Sequence, residues 1–503
     1  MSHKAFMAFD LGAESGRAIL GSLEAGRLKI AELHRFPNAP INLRGHLHWD
    51  LTRLFREVKK SLELCASSCG DTPESIGVDT WGVDFGLLDS DGRLLGLPYA
   101  YRDARTEGAM QQFLEIIPRE RVYQLTGIQF LPFNTLFQLF SMVQEGSPLL
   151  QAASDLLFMP DLFNYLLTGE KRTEFTFATT SQLYNPLQQD WDNELFDALN
   201  IPKAIMQQVV APGTVVGRLS RRLSGETGLP ELPVVATASH DTAAAVAAAP
   251  TEGKDWAYIS SGTWSLMGVE SEAPIINDQA LHNNYTNEGG VAGTFRVLRN
   301  IAGLWLVREC RRAWQSEKLY TYQELSQQAA SADPFVAIID PDDASFLNPP
   351  DMPEAIRQFC LQTNQPPPET TGAFIRCLLE SLALRYRMGL QELREIYPSP
   401  INRIHVLGGG AQNEALCQFT ANAVGLSVIA GPIEATAIGN LLVQGMALGH
   451  VDSLPMLRDI VARSFSLKRY EPKETGEWDS AYERFKEVRH RRVTAVPAGG
   501  ELT

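Results

Sequence analysis

The sequence predicts an α/β protein built as two related lobes, and three features carry that prediction. A strand, a small polar turn and a second strand run through KAFMAFDLGAESGRAILG (4–21), and the same device returns in WAYISSGTWSLMGVE (256–270), about half a chain later. Two such copies fit a duplicated chain, although similar hairpins also arise independently. The last third alternates strand, glycine turn, helix, strand and helix through INRIHVL, GGG (408–410), AQNEALCQFTANAVG, LSVIAGP and EATAIGNLLVQGMALG, the alternation of an α/β fold. Finally, 503 residues supply material for two cores at roughly 100–200 residues per domain.

Each element follows from its local pattern. Residues 5–9 are apolar and read as a first strand, RAILGSLE (17–24) as a second and KIAELHRF (29–36) as a third. Asp50 or Thr52 can cap a helix through LFREVKKSLELC (54–65). SIGVDTWGVDF (75–85) reads as a strand, and DSDG (89–92) as a turn between apolar flanks. VVATASHDTAAAVAAA (234–249) reads as a strand running into a small-residue helix, which gives way to PTEGKD. That break sets the expected domains at 1–250 and 251–455, with an extension at 456–503. The last stretch, about 20 residues, is charged and then Pro/Gly-rich, and is expected to fray.

Composition narrows the function. The formal charge of −15 disfavours nucleic acid and anionic membranes, whose phosphates it repels at long range. Any phosphate site must then be built locally from backbone N–H groups, a metal and a few cations. The six cysteines (65, 69, 310, 360, 377 and 417) are too scattered for a disulfide scaffold and read as reduced thiols; Cys360 and Cys377 could pair, but spacing alone does not show it. The N-terminal apolar stretch is short and runs into Asp10 and Glu14, unlike a signal peptide. The expectation is a cytoplasmic enzyme.

Four places could carry chemistry. DLGAESGR (10–17) offers a tight turn whose backbone N–H groups can approach an anion, with Asp10 placed for a hydrated Mg²⁺; the alternative is a plain hairpin. SSGTWS (260–265) offers a second cradle and the hydroxyl of Thr263. The GGG turn leaves bare backbone against which a flat ring can lie. In the fourth, Asp241 follows a strand and opens a helix, where it is either an N-cap or a proton acceptor. Neither Walker A nor Rossmann spacing occurs, and without a G-x-S-x-G elbow Ser239-His240-Asp241 is not a hydrolase triad. DTWGVDF (79–85), PYAYRDART (98–106), GIQFLPFNT (127–135) and TNEGG (286–290) could line a sugar pocket or pack a core.

DLGAESGR, DTWGVDF, SHDTA, SSGTWSLMG and GGGAQN, in this order, resemble the FGGY carbohydrate kinases over roughly residues 4–455. Within the family, YRDART, GIQFLPFNT and TNEGG are similar to the members that act on L-rhamnulose. The resemblance implies two actin-like (ribonuclease H-like) ATPase domains flanking a nucleotide and sugar cleft, with ATP as co-substrate, L-rhamnulose as substrate and Mg²⁺ required. Carried over by position, Ala13, Glu14, Ser15, Gly16 and Arg17 would line the phosphates, and Asp10 would help place Mg²⁺. Thr263, Arg308 and Gly409 would contact the nucleotide. Gly82, His240, Asp241, Thr242 and Asn300 would contact the sugar, with Asp241 as proton acceptor. Many family members carry hydroxyl residues where Ala13 and Glu14 stand, so the Glu14 carboxylate is expected to point away from the phosphates.

Overall fold

The structure, a computed structural model, describes residues 3–68, 70, 72–316, 318–347 and 349–495. The chain forms two units that interleave in sequence. The first holds the chain through Glu252 together with Glu270–Val297 and Ala435–Phe465; the second holds Gly253–Val269, Leu298–Glu434 and the chain from Ser466.

The first unit is built on β1 (Lys4–Leu11), β2 (Ser15–Glu24), β3 (Arg27–Pro37), β4 (Ile76–Thr80), β5 (Thr214–Arg218) and β6 (Pro233–Ala236), ordered β5-β6-β4-β1-β2-β3. β1 pairs antiparallel to β2 and parallel to β4, and β6 is parallel to β4. β1 and β4 are buried almost throughout, which is why both read as unbroken apolar runs rather than alternating ones. Edge strand β3 exposes Arg27, Lys29, Glu32 and Arg35, charges that discourage pairing with other chains. The helix Leu51–Ser68 starts where Asp50 Oδ1 accepts from Arg53 N at 3.0 Å, so Asp50 and not Thr52 is its cap.

The stretch read as one strand over 75–85 is two. β4 ends at Thr80, and after a turn at Trp81–Asp84 the chain pairs Phe85–Leu88 with Asp155–Phe158. Val83 at φ +66 breaks the run, a conformation costly for a β-branched residue and invisible in an apolar pattern.

The helix Ala435–Ala447 belongs to the first unit because its polar side chains meet that unit's sheet. Gln444 Nε2 donates to Met7 O at 3.0 Å and Gln444 Oε1 accepts from Ser75 Oγ at 2.7 Å. It also packs on the helix Asp241–Ala247 so closely that a β-carbon on Gly439 would stand 1.9 Å from Ala244 O. Only glycine permits that approach.

The second unit orders β7 (Trp256–Ser261), β8 (Trp264–Ser271), β9 (Phe295–Ala302), β10 (Arg403–Leu407), β11 (Ser427–Ala430) and β12 (Lys468–Tyr470) as β9-β8-β7-β10-β11-β12. β7 and β8 form the expected hairpin, and β7, β10 and β11 run parallel. The expected frayed tail is corrected in part: a helix continues from Thr475 to Ala495. Trp478, Ala481, Tyr482 and Phe485 stand at i, i+3, i+4 and i+7 and pack on Ala383, Leu384 and Ala423, so an apolar helical stripe overrides the charged composition. Residues 496–503 and Cys69 lie outside the described residues. Cys65, Cys310, Cys360, Cys377 and Cys417 are buried, and Cys310, Cys360, Cys377 and Cys417 are free. Burial pushes the Cys360 thiol up to about 12 and raises the Cys377 thiol well above its ordinary value. Among the described residues no helix is long and apolar enough to cross a membrane.

Candidate functional site

In the first unit, three carboxylates converge where strands end. Asp10, one residue before the end of β1, stands opposite Arg17 across the hairpin, and the two form an ion pair. Asp79 is the β4 neighbour of Asp10. Ser239, two residues before Asp241, accepts from Thr80 N at 2.9 Å. Asp79 is fully buried; its Oδ2 accepts from Asn440 Nδ2 at 2.6 Å, while its Oδ1 has no partner. Burial raises its carboxyl well above the usual range, and Asp10 and Asp241 raise it further. In the sequence Asp79 is noted only as the first residue of DTWGVDF and given no role of its own; its further signal is a carboxylate inside the buried run IGVDT.

Asp10 and the orphaned Asp79 Oδ1 are hard oxygen donors of the kind Mg²⁺ uses, since that ion takes one or two carboxylates and completes its shell with phosphate and water. Among the described residues no group of three or more His, Cys, Asp or Glu forms a protein cage. The turn between β1 and β2 is closed by Gly12 N donating to Ser15 O at 3.0 Å and braced by Asn38 Nδ2 donating to Gly12 O at 2.8 Å. Glu14 is exposed at its tip.

Asp241 is the first residue of its helix; the N-cap is His240. The Asp241 side chain is 34% exposed and so within reach of a ligand. It accepts from Thr242 Oγ1 at 3.0 Å and lies 3.5 Å from His240 Nε2. Burial raises its carboxyl above the ordinary value, His240 opposes this, and Asp10 adds repulsion. Gly82 faces the same imidazole: a β-carbon there would stand 3.2 Å from Nε2. Behind it, the buried Glu174 accepts from Ser239 N at 3.1 Å and from Thr176 Oγ1 at 2.5 Å, and Thr176 Oγ1 accepts from His240 N at 3.2 Å. Burial pushes Glu174 up to about 7.

The turn carrying Gly82 is pinned by Asp84. Its Oδ2 accepts from Trp49 Nε1 at 2.6 Å, Trp81 Nε1 at 2.9 Å and Tyr101 N at 3.1 Å, and its Oδ1 accepts from Gln138 Nε2 at 3.0 Å. The Trp49 and Trp81 rings lie 4.1 Å apart, and Tyr101 and Phe133 lie 5.4 Å apart. The motifs DTWGVDF, YRDART and GIQFLPFNT thus meet in one network around Asp84. Trp81 is core, while Tyr101 and Phe133 are half-buried. A separate cavity of about 770 Å³, lined by Phe175, Tyr184, Trp191, Lys203, Met206 and Phe295 among others, includes none of the predicted residues.

In the second unit, Thr263, Arg308 and Gly409 gather at one sheet end. Trp305 N donates to Thr263 O at 3.1 Å, which seats the helix Trp305–Trp314 on the β7–β8 turn. Arg308, on that helix, stacks its guanidinium 4.6 Å from the Trp305 ring centroid. A β-carbon on Gly410 would stand 2.0 Å from Ser261 Oγ, so the glycine turn lies directly against the end of β7. Gly409 is exposed, with open space above it. Between the glycine turn and the helix Glu414–Val424 a short 3₁₀ turn, Gly409–Gln412, intervenes, and Asn413 caps the helix. Asn300 lies half-buried on β9, a few residues before Gly303, where a β-carbon would stand 2.6 Å from Thr263 O.

Comparison with known proteins covers both units. The model of the N-terminal domain of the FGGY family of carbohydrate kinases matches residues 5–248, and that of the C-terminal domain matches 257–448. A rhamnulokinase of Bacteroides thetaiotaomicron is 48% identical over 481 residues, covering 96% of this chain and 98% of its own. A rhamnulokinase of Bacillus subtilis is 41% identical over 469 residues, covering 93% and 96%. Among solved structures, a gluconate kinase from Lactobacillus acidophilus superposes with a TM-score of 0.82 at 17% identity, covering 98% of this chain and 99% of that one. A Plasmodium falciparum glycerol kinase with ADP gives 0.76 at 13%, covering 98% of each. At such identities the two structures speak to the fold alone.

Proposed function

We propose that this chain, which belongs to the FGGY family of carbohydrate kinases, transfers the γ-phosphoryl group of ATP to O1 of L-rhamnulose, giving L-rhamnulose 1-phosphate and ADP. The observation that carries the chemistry is Asp241: a carboxylate one-third exposed among buried neighbours, raised above its ordinary value and flanked by His240 and Thr242. The choice of sugar rests on the relatives that carry the name rhamnulokinase over almost their whole length.

In this reading Asp241 accepts the O1 proton while O1 bonds to the γ-phosphorus and the bond from that phosphorus to the β-phosphate oxygen breaks. A primary alcohol is a very weak acid, so the proton moves late, and a carboxylate suffices as base. Gly82, His240, Thr242 and Asn300 hold the sugar. The segment Ala13–Arg17 holds the phosphates, with the Arg17 guanidinium as the local cation in a chain of net charge −15. Thr263, Arg308 and Gly409 hold the nucleotide. Asp10 would hold Mg²⁺, which when bound neutralises phosphate charge; positioning and charge stabilisation supply most of the catalysis of phosphoryl transfer. We place the enzyme in the cytoplasm, where ATP is supplied.

The test is ADP release over L-rhamnulose, L-fuculose and L-xylulose. L-Rhamnulose is expected to give the highest kcat/KM. Preference for another ketose reassigns the substrate, and ADP release indifferent to any sugar replaces the kinase reading with that of an assembly ATPase.

A further inference from the structure

We infer that Arg296 and Glu288 are positioning residues that fix the His240 ring with its proton on Nε2, presented to a sugar oxygen. This rests on the sugar-kinase reading above. Three atoms carry the argument: Arg296 Nη2, Glu288 Oε2 and His240 Nδ1. Arg296 Nη2 lies 3.0 Å from Glu288 Oε2 and 3.2 Å from His240 Nδ1, and Glu288 Oε2 lies 3.3 Å from Nδ1.

A guanidinium has donors and no acceptor. Arg296 Nη2 meets Nδ1 in hydrogen-bonding geometry, whereas Glu288 Oε2, 3.3 Å from Nδ1, does not, so Nδ1 is the acceptor and the ring proton sits on Nε2. Nε2 is the nitrogen that faces Asp241, 3.5 Å away, and the open side of Gly82. A donor aimed there can hold a sugar oxygen beside the hydroxyl that loses its proton to Asp241. The guanidinium cannot drift, because Arg296 is fully buried and its Nε donates to Gly289 O at 2.8 Å. Gly289 N in turn donates to Thr179 Oγ1 at 2.7 Å.

Glu288 supplies the countercharge. Burial works to raise its carboxyl, and Arg296 leads the groups that hold it below the usual range. The charged groups facing the imidazole are therefore Asp241, Glu288 and Arg296. Buried ion pairs are often replaceable by apolar residues without loss of stability, so stability alone does not account for a pair aimed at an imidazole nitrogen. Phe177, T-shaped at 6.2 Å, braces the ring.

The test compares the wild type with the double variant Arg296→Met/Glu288→Gln, which removes both charges together so that neither is left buried and unpaired. Long-range ¹H–¹⁵N correlation reads the imidazole tautomer, with His240→Gln assigning the signal. The wild type is expected to be protonated on Nε2, and the double variant to lose that single tautomer. Its KM for L-rhamnulose is expected to rise about 2–10-fold, the loss typical of a hydrogen bond between neutral groups, with the KM for ATP and the Tm unchanged. In the His240→Gln background the same double change is expected to add nothing further.

A wild-type ring carrying its proton on Nδ1 overturns the inference. So does an equal rise in both backgrounds, or a matching rise in the KM for ATP. If the double variant does not fold, Arg296→Lys, which keeps the charge without the guanidinium fork, is read against the same outcomes. If the wild type releases no ADP with L-rhamnulose, the functional reading fails, while the tautomer measurement still decides the positioning claim.

Discussion

Asn440 donates its side-chain amide to Asp79 Oδ2 at 2.6 Å, joining the helix Ala435–Ala447 to strand β4 within the first unit. The carboxyl that receives it is fully buried, raised well above its ordinary value by burial and repelled by Asp10 and Asp241. Oδ2 of Asp79 is thus the acceptor that holds the Asn440 amide. Asp79→Asn keeps an acceptor oxygen for Asn440 and removes a latent charge, so its unfolding free energy should stay within about 1 kcal/mol of the wild type. Asp79→Val leaves the Asn440 amide without its partner and should cost about 1–3 kcal/mol. Urea unfolding of both variants checks this; equal losses would show that the carboxylate is needed charged.

The contrast between Asp79 and Asp241 shows what the sequence could and could not tell. Asp241 stands in a short polar string at a strand end, and such a string can be read residue by residue. Asp79 gains its meaning from Asn440, which lies on a helix far along the chain, and from its β4 register with Asp10. No local pattern encodes that register. The hairpins β1–β2 and β7–β8 were legible because apolar runs flanked small polar turns. The membership of Ala435–Phe465 in the first unit was not, because it depends on bonds such as Gln444 to Met7. The helix Thr475–Ala495 was legible in its Trp478–Phe485 stripe, and composition was the wrong guide there. Glu288 and Arg296 lay in or near a noted motif, but what makes them matter is the imidazole they meet, which only the tertiary structure supplies.

Glu174 should make stability fall as pH rises. Its carboxyl is raised from 4.5 to about 7, so between those values the native state keeps a proton that the unfolded chain has lost. Stability then declines across that window, by on the order of 3 kcal/mol for this group. Denaturant unfolding of Glu174→Gln at pH 5 and pH 7.5 should lack most of the decline seen in the wild type. An unchanged slope would place the titration elsewhere. Because Glu174 also supports the backbone at Ser239 and, through Thr176, at His240, its replacement should in addition raise the KM for sugar more than that for ATP.

Asp84 receives two indole N–H groups, a backbone N–H and the Gln138 amide. Asp84→Asn leaves one acceptor oxygen for these donors and turns an amide NH₂ toward the rest. The expected loss is about 2–4 kcal/mol, the cost of leaving buried donors unpaired. Trp49 and Trp81 report on this directly, so fluorescence-monitored unfolding should show both the lower midpoint and an altered native spectrum. A loss below about 0.5 kcal/mol would mean that aromatic packing alone holds the Gly82 turn.

Asp241→Asn separates a base from a binding group. The amide preserves size and can still accept from Thr242 Oγ1, so affinity for sugar and for a non-hydrolysable ATP analogue should be kept, by calorimetry, within about threefold. Turnover should fall on the order of 10²–10⁴-fold, the usual contribution of general-base catalysis. The pH profile gives an independent reading. Asp241 must be deprotonated to accept the O1 proton, and burial raises its carboxyl above the ordinary value of 3.8. Wild-type kcat should therefore decline toward acid pH with a midpoint above that value, and the limb should vanish in the residual activity of the variant. If sugar affinity falls by the same factor as turnover, or if the acid limb persists, Asp241 holds the sugar and the base lies elsewhere.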